Sequence, residues 1–570
     1  MLIVAKDGTG HFTSIQAAVD ACPETGRAPS LILVRRGVYE ERVVIHRDNV
    51  RLVGESREET ILTWSDYALN PDASGQPRGT FRTATLLVTG NQVEVENLTV
   101  RNDAGDGRIV GQAVAVYAAG DRGTWRNCRL SAHQDTLLCG PLMPRLVQDI
   151  LPRQGRAPVV ENVAECSLVT GRQYFEDCLI EGDIDFIFGS YRCWFERCTL
   201  VMLERGGYYT AANTPENMDY GFVFHSCRLT GTCPEGQAFL GRPWRRFART
   251  VFLSCDMDEH VSPEGFQDWD EVRVITPRCA EWATTGARAD LSRRHPDEGL
   301  LSREEAMLLS LPQVIGGADH WHPEKRVPTW FLCGDSTMAD YPENRAPMTG
   351  WGQALQPLLQ GEVFVQNEAF NGRSSRSFID EGRLEQIRLC LRPGDLLVIG
   401  FAHNDEKSDP ERHTDPETTF PQMLRRYLST ARESGALAVL VTPVARRHFD
   451  PQGLPVPTHG AYPEAIRRLA QEEQVPLVDL ERASMLQLRR LGPEGSRSLY
   501  CHVAAGHPHY PIGLQDNSHL HLRGAVTMAA LFLEGLQGET WSEEAPSPEG
   551  TQAGAFRELI DLEDWVLSHS

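Results

Sequence analysis

The sequence predicts a multidomain protein: a parallel β-helix over residues 1–320, then an α/β domain with a parallel sheet over 329–536. Three observations predict this. A chain of 570 residues is too long for one ordinary hydrophobic core. A short motif, aromatic-x-x-Cys-x-apolar, recurs through the first half. Beyond residue 329 the pattern changes to short apolar runs alternating with stretches of helical period.

The motif occurs at Trp125-Arg-Asn-Cys128-Arg-Leu130, Phe175-Glu-Asp-Cys178-Leu-Ile180, Phe195-Glu-Arg-Cys198-Thr-Leu200, Phe224-His-Ser-Cys227-Arg-Leu229 and Phe252-Leu-Ser-Cys255-Asp-Met257. Side chains alternate along a strand, so each cysteine shares a face with the residue two further on. Strand units repeated with irregular spacers, and no long amphipathic helix between them, indicate stacked coils of a β-helix. The cysteines then form an interior column of small apolar side chains. Zinc sites use close pairs such as Cys-x-x-Cys, which do not occur here, and one cysteine per repeat does not make a disulfide framework. Before the repeats, Phe12, Ile15, Ala18, Val19 and Cys22 have helical spacing. That helix is expected to cap the solenoid's open end, where strand edges would otherwise be unpaired.

Trp321-His-Pro-Glu-Lys-Arg-Val-Pro328, with two prolines and mixed charge, reads as a linker over 321–328. Apolar runs then follow at Thr329–Cys333, Val363–Val365, Asp395–Ile399, Ala438–Val444 and Val475–Leu480. Helical stretches follow at Phe420–Glu433, Pro463–Glu473 and Leu522–Leu536. Apolar strands alternating with helices make a parallel sheet covered on both faces. Ligands bind such sheets at the carboxyl ends of strands. Ser336, Gly372 and Asn404 each follow an expected strand by a few residues. The segment 537–570 reads as a polar tail with a short amphipathic helix over 556–567.

The net charge of −22 argues against nucleic acid, because phosphate binding needs a basic face. No apolar run approaches the roughly 20 residues that span a bilayer. Met1-Leu-Ile-Val4 begins directly as a short strand, without the basic and apolar regions of an export signal, which predicts a cytoplasmic protein. No metal-ligand cluster is evident, and no cofactor is expected. Nothing in the sequence selects an oligomeric state.

Two ordered sets of motifs carry the chemistry. The first runs Val4-Ala-Lys-Asp-Gly-Thr-Gly-His-Phe-Thr-Ser-Ile-Gln16, Gly111-Gln112-Ala-Val-Ala, Gln134-Asp-Thr-Leu137, Gly171-Arg-Gln-Tyr-Phe175, Asp185-Phe-Ile-Phe-Gly189 and Leu240-Gly-Arg-Pro-Trp244. It resembles the pectin methylesterases over residues 1–320, a family whose fold is a right-handed parallel β-helix. The resemblance implies Asp185 as nucleophile, Asp135 as general acid and then base, and Gln112 and Gln134 as oxyanion donors. It also implies Arg242 as the partner of Asp185 and Trp244 as a sugar-lining residue. Those residue types suit the roles. A guanidinium keeps a nucleophilic carboxylate ionised, and a neighbouring carboxylate raises the pKa of an acid. Strand alternation puts Asp183 and Asp185 outward, with Ile184, Phe186 and Phe188 inward. Adjacent Gln134 and Asp135 can serve one site only if the strand ends or bulges there. Asp183 is assigned no role, and His133 is read as a hydrogen-bonded histidine before a proton relay. Residues 139–170 form a long loop expected to overhang the groove. Arg242, Arg245, Arg246 and Arg249 form a local basic cluster suited to uronate carboxylates, with Arg245 a candidate substrate contact.

The second set runs Gly334-Asp-Ser-Thr337, Asn371-Gly-Arg-Ser-Ser-Arg-Ser-Phe378, Gly400-Phe-Ala-His-Asn-Asp405, Thr442-Pro-Val-Ala-Arg-Arg447 and Asp516-Asn-Ser-His519. It resembles the GDSL/SGNH hydrolases, and within them the rhamnogalacturonan and pectin acetylesterases. The resemblance implies an α/β SGNH-hydrolase domain with Ser336 as nucleophile, His519 as base and Asp516 orienting the imidazole. Backbone amides of Ser336 and Gly372, with the Asn404 side chain, would form the oxyanion hole. The Asp-x-x-His spacing places both side chains on one side of a single turn. Arg373 and Arg376 are candidate uronate contacts, with a structural salt bridge the equal alternative, and His403 is read as structural. The combined expectation is a bifunctional pectin de-esterase acting on a pectic poly- or oligosaccharide. The alternative is an acyl esterase active only at the serine site, with the β-helix as a pectin-binding platform.

Overall fold

The computed structural model describes residues 1–24, 29–150, 153, 155–161, 171–359 and 363–538. The amphipathic segment expected over 556–567, and parts of the 139–170 loop, lie outside the described residues. The chain divides into two compact units, Met1–Arg326 and Val327–Ser570. The division falls inside the segment read as a linker. Trp321, at the start of that segment, belongs to the first unit, where the Arg172 guanidinium lies 5.6 Å from its ring centroid. No helix among the described residues is long and apolar enough to cross a membrane.

The first unit is a parallel β-helix. Its described strands form three parallel sheets of 11, 9 and 7 strands, and successive strands of the chain pass from one sheet to the next. One coil runs through Gly123–Arg126, Arg129–Ser131 and Leu137–Cys139 in the three sheets. The motif cysteines point inward, as expected, and the motif aromatics, for which no face was expected, point inward as well. Trp125, Phe175, Phe195, Phe224 and Phe252 stack in one column with centroids 5.8, 4.7, 4.4 and 4.6 Å apart. Beside them each cysteine thiol reaches a carbonyl of the previous coil, as Cys198 Sγ does with Phe175 O at 3.5 Å. Aromatic and cysteine, three residues apart, would face opposite ways on a continuous strand. One left-handed residue between them, Asn127, Asp177, Arg197, Ser226 or Ser254, turns the corner between two sheets and brings both inside. Among the described residues the cysteines form no disulfide and are buried.

The expected N-terminal helix spans Ile15–Asp20 and buries Ile15, Ala18 and Val19 on the interior cluster. The Glu41 carboxylate accepts from Ile15 N at 2.7 Å and Gln16 N at 3.2 Å, where the first turn leaves amides without partners. Val314 and Ile315 cover the outer face of the 11-stranded sheet at Tyr174, Trp194 and Val251.

The second unit holds a five-stranded parallel sheet. Its strands lie in the order Phe364–Asn367, Thr329–Gly334, Leu396–Gly400, Leu437–Val441, Leu477–Val478. Each coincides with an expected apolar run. The helices Thr419–Glu433, Tyr462–Glu473 and Leu522–Leu536 match expectation as well. The second strand of the chain adds on one side of the first and the third on the other. The chain reversal between those neighbours opens a crevice at the carboxyl end of the first strand.

Candidate active sites

In the first unit, Asp135 and Asp185 occupy equivalent places on adjacent coils. Leu137 pairs with Ile187 in the seven-stranded sheet, and each aspartate lies two residues earlier. Asp135 N donates to Ile184 O at 3.0 Å, which ties the two corners directly. Both aspartates have positive φ, 68° and 51°. Aspartate tolerates this backbone better than most residues. The corner answers the difficulty of Gln134 and Asp135, because the chain is turning there and regular alternation does not apply. It also corrects the assignment of faces along 183–188. The strand covers only Ile187–Gly189. Phe186 and Ile187 are interior, whereas Phe188 lies on the outer face, edge-on to Trp244 at 5.9 Å.

Arg242 grips Asp185 with two parallel hydrogen bonds, Nε to Oδ1 at 2.9 Å and Nη2 to Oδ2 at 2.7 Å. The guanidinium is sandwiched between Tyr208 and Trp269, 4.1 and 3.8 Å from their ring centroids. This holds the fork in one plane, which bidentate pairing requires. The sequence signalled neither Tyr208 nor Trp269, since they meet Arg242 only when the coils stack. Both carboxyls are buried. Burial first, and then the Asp185 charge, push the Asp135 carboxyl well above the usual carboxylate range. Burial pushes Asp185 upward too, opposed by the hydrogen bonds and charge of Arg242. One carboxylate therefore holds a guanidinium while its neighbour is pressed toward the neutral acid, the asymmetry that an attacking group and a proton donor need.

Gln112 and Gln134 lie on adjacent coils joined by Ala113 N donating to Gln134 O at 3.1 Å. Gly107 leaves room for Gln134, for a β-carbon there would lie 2.9 Å from Gln134 Cβ. Trp244 packs beside the outer apolar cluster of Leu138, Phe188 and Ala211. The arginine cluster disperses. Arg245 turns back to its neighbour's carbonyl, Trp244 O at 2.8 Å, and Arg246 lies over Phe247. The described part of the long loop packs Leu142, Leu146, Ile150 and Ala157 on the outer face of the seven-stranded sheet, and Arg153 reaches Asp20.

In the second unit, the loops after the first three strands bring Ser336, Gly372 and Asn404 to the crevice. His519 Nε2 is 2.9 Å from Ser336 Oγ, and His519 Nδ1 is 2.7 Å from Asp516 Oδ2. The Asp516 carboxylate also accepts from the backbone amides of Ser518 and His519. Burial opposes its charge, yet these bonds hold its carboxyl down to about 2. The pair does not sit on a turn, as the spacing suggested. It lies within the strand Leu514–Leu520, antiparallel to Tyr500–Val503, where the register shifts between Tyr500–Leu520 and His502–Gln515. That irregularity lets two residues three apart meet on one side, which a regular strand forbids.

Asp335 accepts from Thr337 N and Oγ1, both at 2.9 Å, and Tyr341 Oη donates to Ser336 O at 2.9 Å. These fix the serine turn. Asn404 Nδ2 donates to Arg373 O at 3.1 Å, which uses one of its two N–H bonds. The next residue, Asp405, accepts from Ser375 N and Oγ and from Thr414 Oγ1, anchoring the Asn404 loop from beneath. The motif held Asp405, but its partners lie on segments that sequence spacing does not connect. Arg373 pairs with Glu381 at 2.9 Å and donates to Asn371 O. Arg376 reaches Pro410 O. His403 is buried edge-on against His459, with centroids 4.3 Å apart. Gly372 has φ of 78° with open space where a β-carbon would stand. The expected cost of Gly372→Ala is therefore backbone strain alone, about 1–2 kcal/mol. It should appear as a roughly 5- to 30-fold lower kcat/KM at the serine site with the overall fold intact. An unchanged rate would show that residue 372 accepts a side chain in its left-handed conformation without moving its backbone amide.

No group of three or more His, Cys, Asp or Glu side chains among the described residues is placed to hold a metal ion. A buried aspartate pair with a guanidinium on a β-helix, and a Ser-His-Asp relay at the switch point of a parallel sheet, define a carboxylic ester hydrolase. The comparisons with known proteins agree. The pectinesterase family model matches residues 1–140 and 167–318, and the GDSL-like lipase/acylhydrolase model matches 332–509. The chain belongs to the pectinesterase family through its first unit and to the GDSL-like acylhydrolases through its second. It is 44% identical over 208 residues to the rhamnogalacturonan acetylesterase RhgT of Bacillus subtilis (strain 168), covering 36% of this chain and 88% of that protein. It is 30% identical over 313 residues to pectinesterase 31 of Arabidopsis thaliana, covering 54% and 89%. Against probable pectinesterase/pectinesterase inhibitor 23 of Arabidopsis thaliana it is 28% identical over 343 residues, and it spans about half (54%) of that relative's length.

Proposed function

We propose that the chain is a bifunctional pectin de-esterase. Its first unit releases methanol from methyl-esterified galacturonate, and its second releases acetate from an acetylated pectic sugar. The observation that carries the reading is the Arg242–Asp185–Asp135 arrangement. A binding platform has no use for a buried carboxylate held by a sandwiched guanidinium beside a second carboxyl that burial and charge press toward its neutral form. This counts against the alternative in which only the serine site works.

At the first site, an Asp185 oxygen attacks the methyl ester carbonyl, and the Gln112 and Gln134 amides receive the developing oxyanion. Asp135 gives its proton to the methoxy oxygen, and methanol leaves. The resulting Asp135 carboxylate takes a proton from water, which attacks the acyl–Asp185 anhydride and frees the galacturonate carboxylate. At the second site, Ser336 Oγ attacks the acetyl carbonyl as His519 Nε2 takes its proton. The amides of Ser336 and Gly372 and the remaining Asn404 N–H hold the oxyanion. His519 returns the proton to the sugar ester oxygen, which leaves as a hydroxyl. Water then releases acetate by the same relay.

The test measures methanol and acetate in parallel from pectin fragments bearing both esters. Both products are expected from the one chain. Acetate without methanol would favour the serine-only alternative, and neither product would overturn the proposal.

A further inference from the structure

Two residues that neither mechanism uses stand beside the aspartate pair. His133 precedes Asp135 by two residues, and Asp183 precedes Asp185 by two. The pairings on either side of this corner, Ser131 with Glu181 and Leu137 with Ile187, keep one offset, so His133 lies over Asp183 as Asp135 lies over Asp185. His133 Nδ1 is 3.3 Å from Asp183 Oδ2. The backbone closes the same step, with Asp183 N donating to His133 O at 2.9 Å. The other Asp183 oxygen accepts from Ile184 N at 2.6 Å, immediately before the nucleophile. The Asp183 side chain is 1% exposed, whereas that of His133 is 38% exposed. A buried carboxylate thus has a solvent-open histidine as its side-chain partner, with the Arg108 charge acting on it as well.

We propose that His133 and Asp183 form a positioning dyad for the aspartate site, clasping the two coils that carry Asp135 and Asp185 and setting the charge beside Asp135 according to whether His133 is protonated. The inference rests on the role of Asp135 as proton donor given above.

The direction follows from the surrounding charges. The Asp183 hydrogen bond, opposed by burial, holds the His133 proton above the ordinary histidine range. The carboxylates of Asp106 and Glu181 act in the same sense, and they carry their own arginines, Arg108 and Arg129. Arg205 stands across Gly107 from this corner. Asp135 itself faces Asp185, Arg242 and Asp183. While His133 is protonated, the dyad is neutral. Once His133 loses its proton, Asp183 is a bare carboxylate that joins Asp185 in disfavouring charge on Asp135. Rising pH therefore makes Asp135 hold its own proton more tightly, and the proton donor persists into the alkaline range.

The test is the pH profile of kcat/KM for methanol release by the full chain. Asp183→Asn removes the like charge while keeping the shape and an acceptor for Ile184 N. His133→Arg makes the compensating charge permanent. Both are expected to move the alkaline limb down by about half to one pH unit. His133→Gln, which leaves Asp183 uncompensated at every pH, is not expected to move it down. A limb left in place or moved upward by the first two variants overturns the dyad, and so does a uniform loss at all pH without a shift. Should circular dichroism show Asp183→Asn unfolded, His133→Arg decides alone. An Asp185→Asn enzyme that still releases methanol would sink the proposed function itself. An inactive one, combined with unshifted profiles for the dyad variants, would sink only the dyad.

Discussion

Asp185→Asn is expected to lower methanol release by about four orders of magnitude or more, as nucleophile removal does elsewhere. Acetate release from the same preparation should be unchanged. An amide cannot form the anhydride intermediate that attack by the Asp185 carboxylate would give. The substitution also leaves the Arg242 guanidinium between Tyr208 and Trp269 without its counter-charge. Since Arg242 keeps some solvent contact, the stability cost should be modest, roughly 1–3 kcal/mol. Initial rates of both products, with a thermal melt of each protein, check this. Parallel loss of both activities would mean that the two sites are not independent.

The mirror experiment is Ser336→Ala. Acetate release should fall by about four to six orders of magnitude, with methanol release retained. The hydroxyl bonds His519 Nε2 at 2.9 Å, whereas Tyr341 holds the backbone carbonyl of residue 336, which alanine keeps. The turn should therefore survive, and stability should change by less than about 1 kcal/mol. The Asp516–His519 pair remains intact in the variant, so lost activity reports the nucleophile rather than a displaced base. Acetate release above a tenth of the wild-type rate would remove Ser336 from the mechanism.

Much of this architecture could be read from the chain itself. The aromatic–cysteine repeat located the stacked coils because each coil meets the same neighbours, so one local pattern is imposed many times. The central strands of the second unit, Thr329–Gly334, Leu396–Gly400 and Leu437–Val441, were legible because strands covered on both faces are largely apolar. Backbone departures from regular geometry were less legible. Nothing in Asp183-Ile-Asp-Phe-Ile-Phe188 states that Asp185 adopts a left-handed conformation, and so the inward and outward faces came out shifted. Asp516-Asn-Ser-His519 likewise reads as a turn until its antiparallel partner reveals the irregularity. Long-range partners were hidden for a related reason. Tyr208 and Trp269 around Arg242, and Ser375 and Thr414 around Asp405, are joined by stacking and not by spacing.

The shaft of thiols inside the solenoid has a practical use. Cys128, Cys178, Cys198, Cys227 and Cys255 sit on successive turns and are sealed from solvent. An alkylating reagent can modify each one only while its own turn is open. Pulse labelling followed by mass spectrometry would therefore time the opening of individual turns from native probes, without any engineered reporter. It would show whether the solenoid frays from an end or loosens first at the turns that bear the two aspartates.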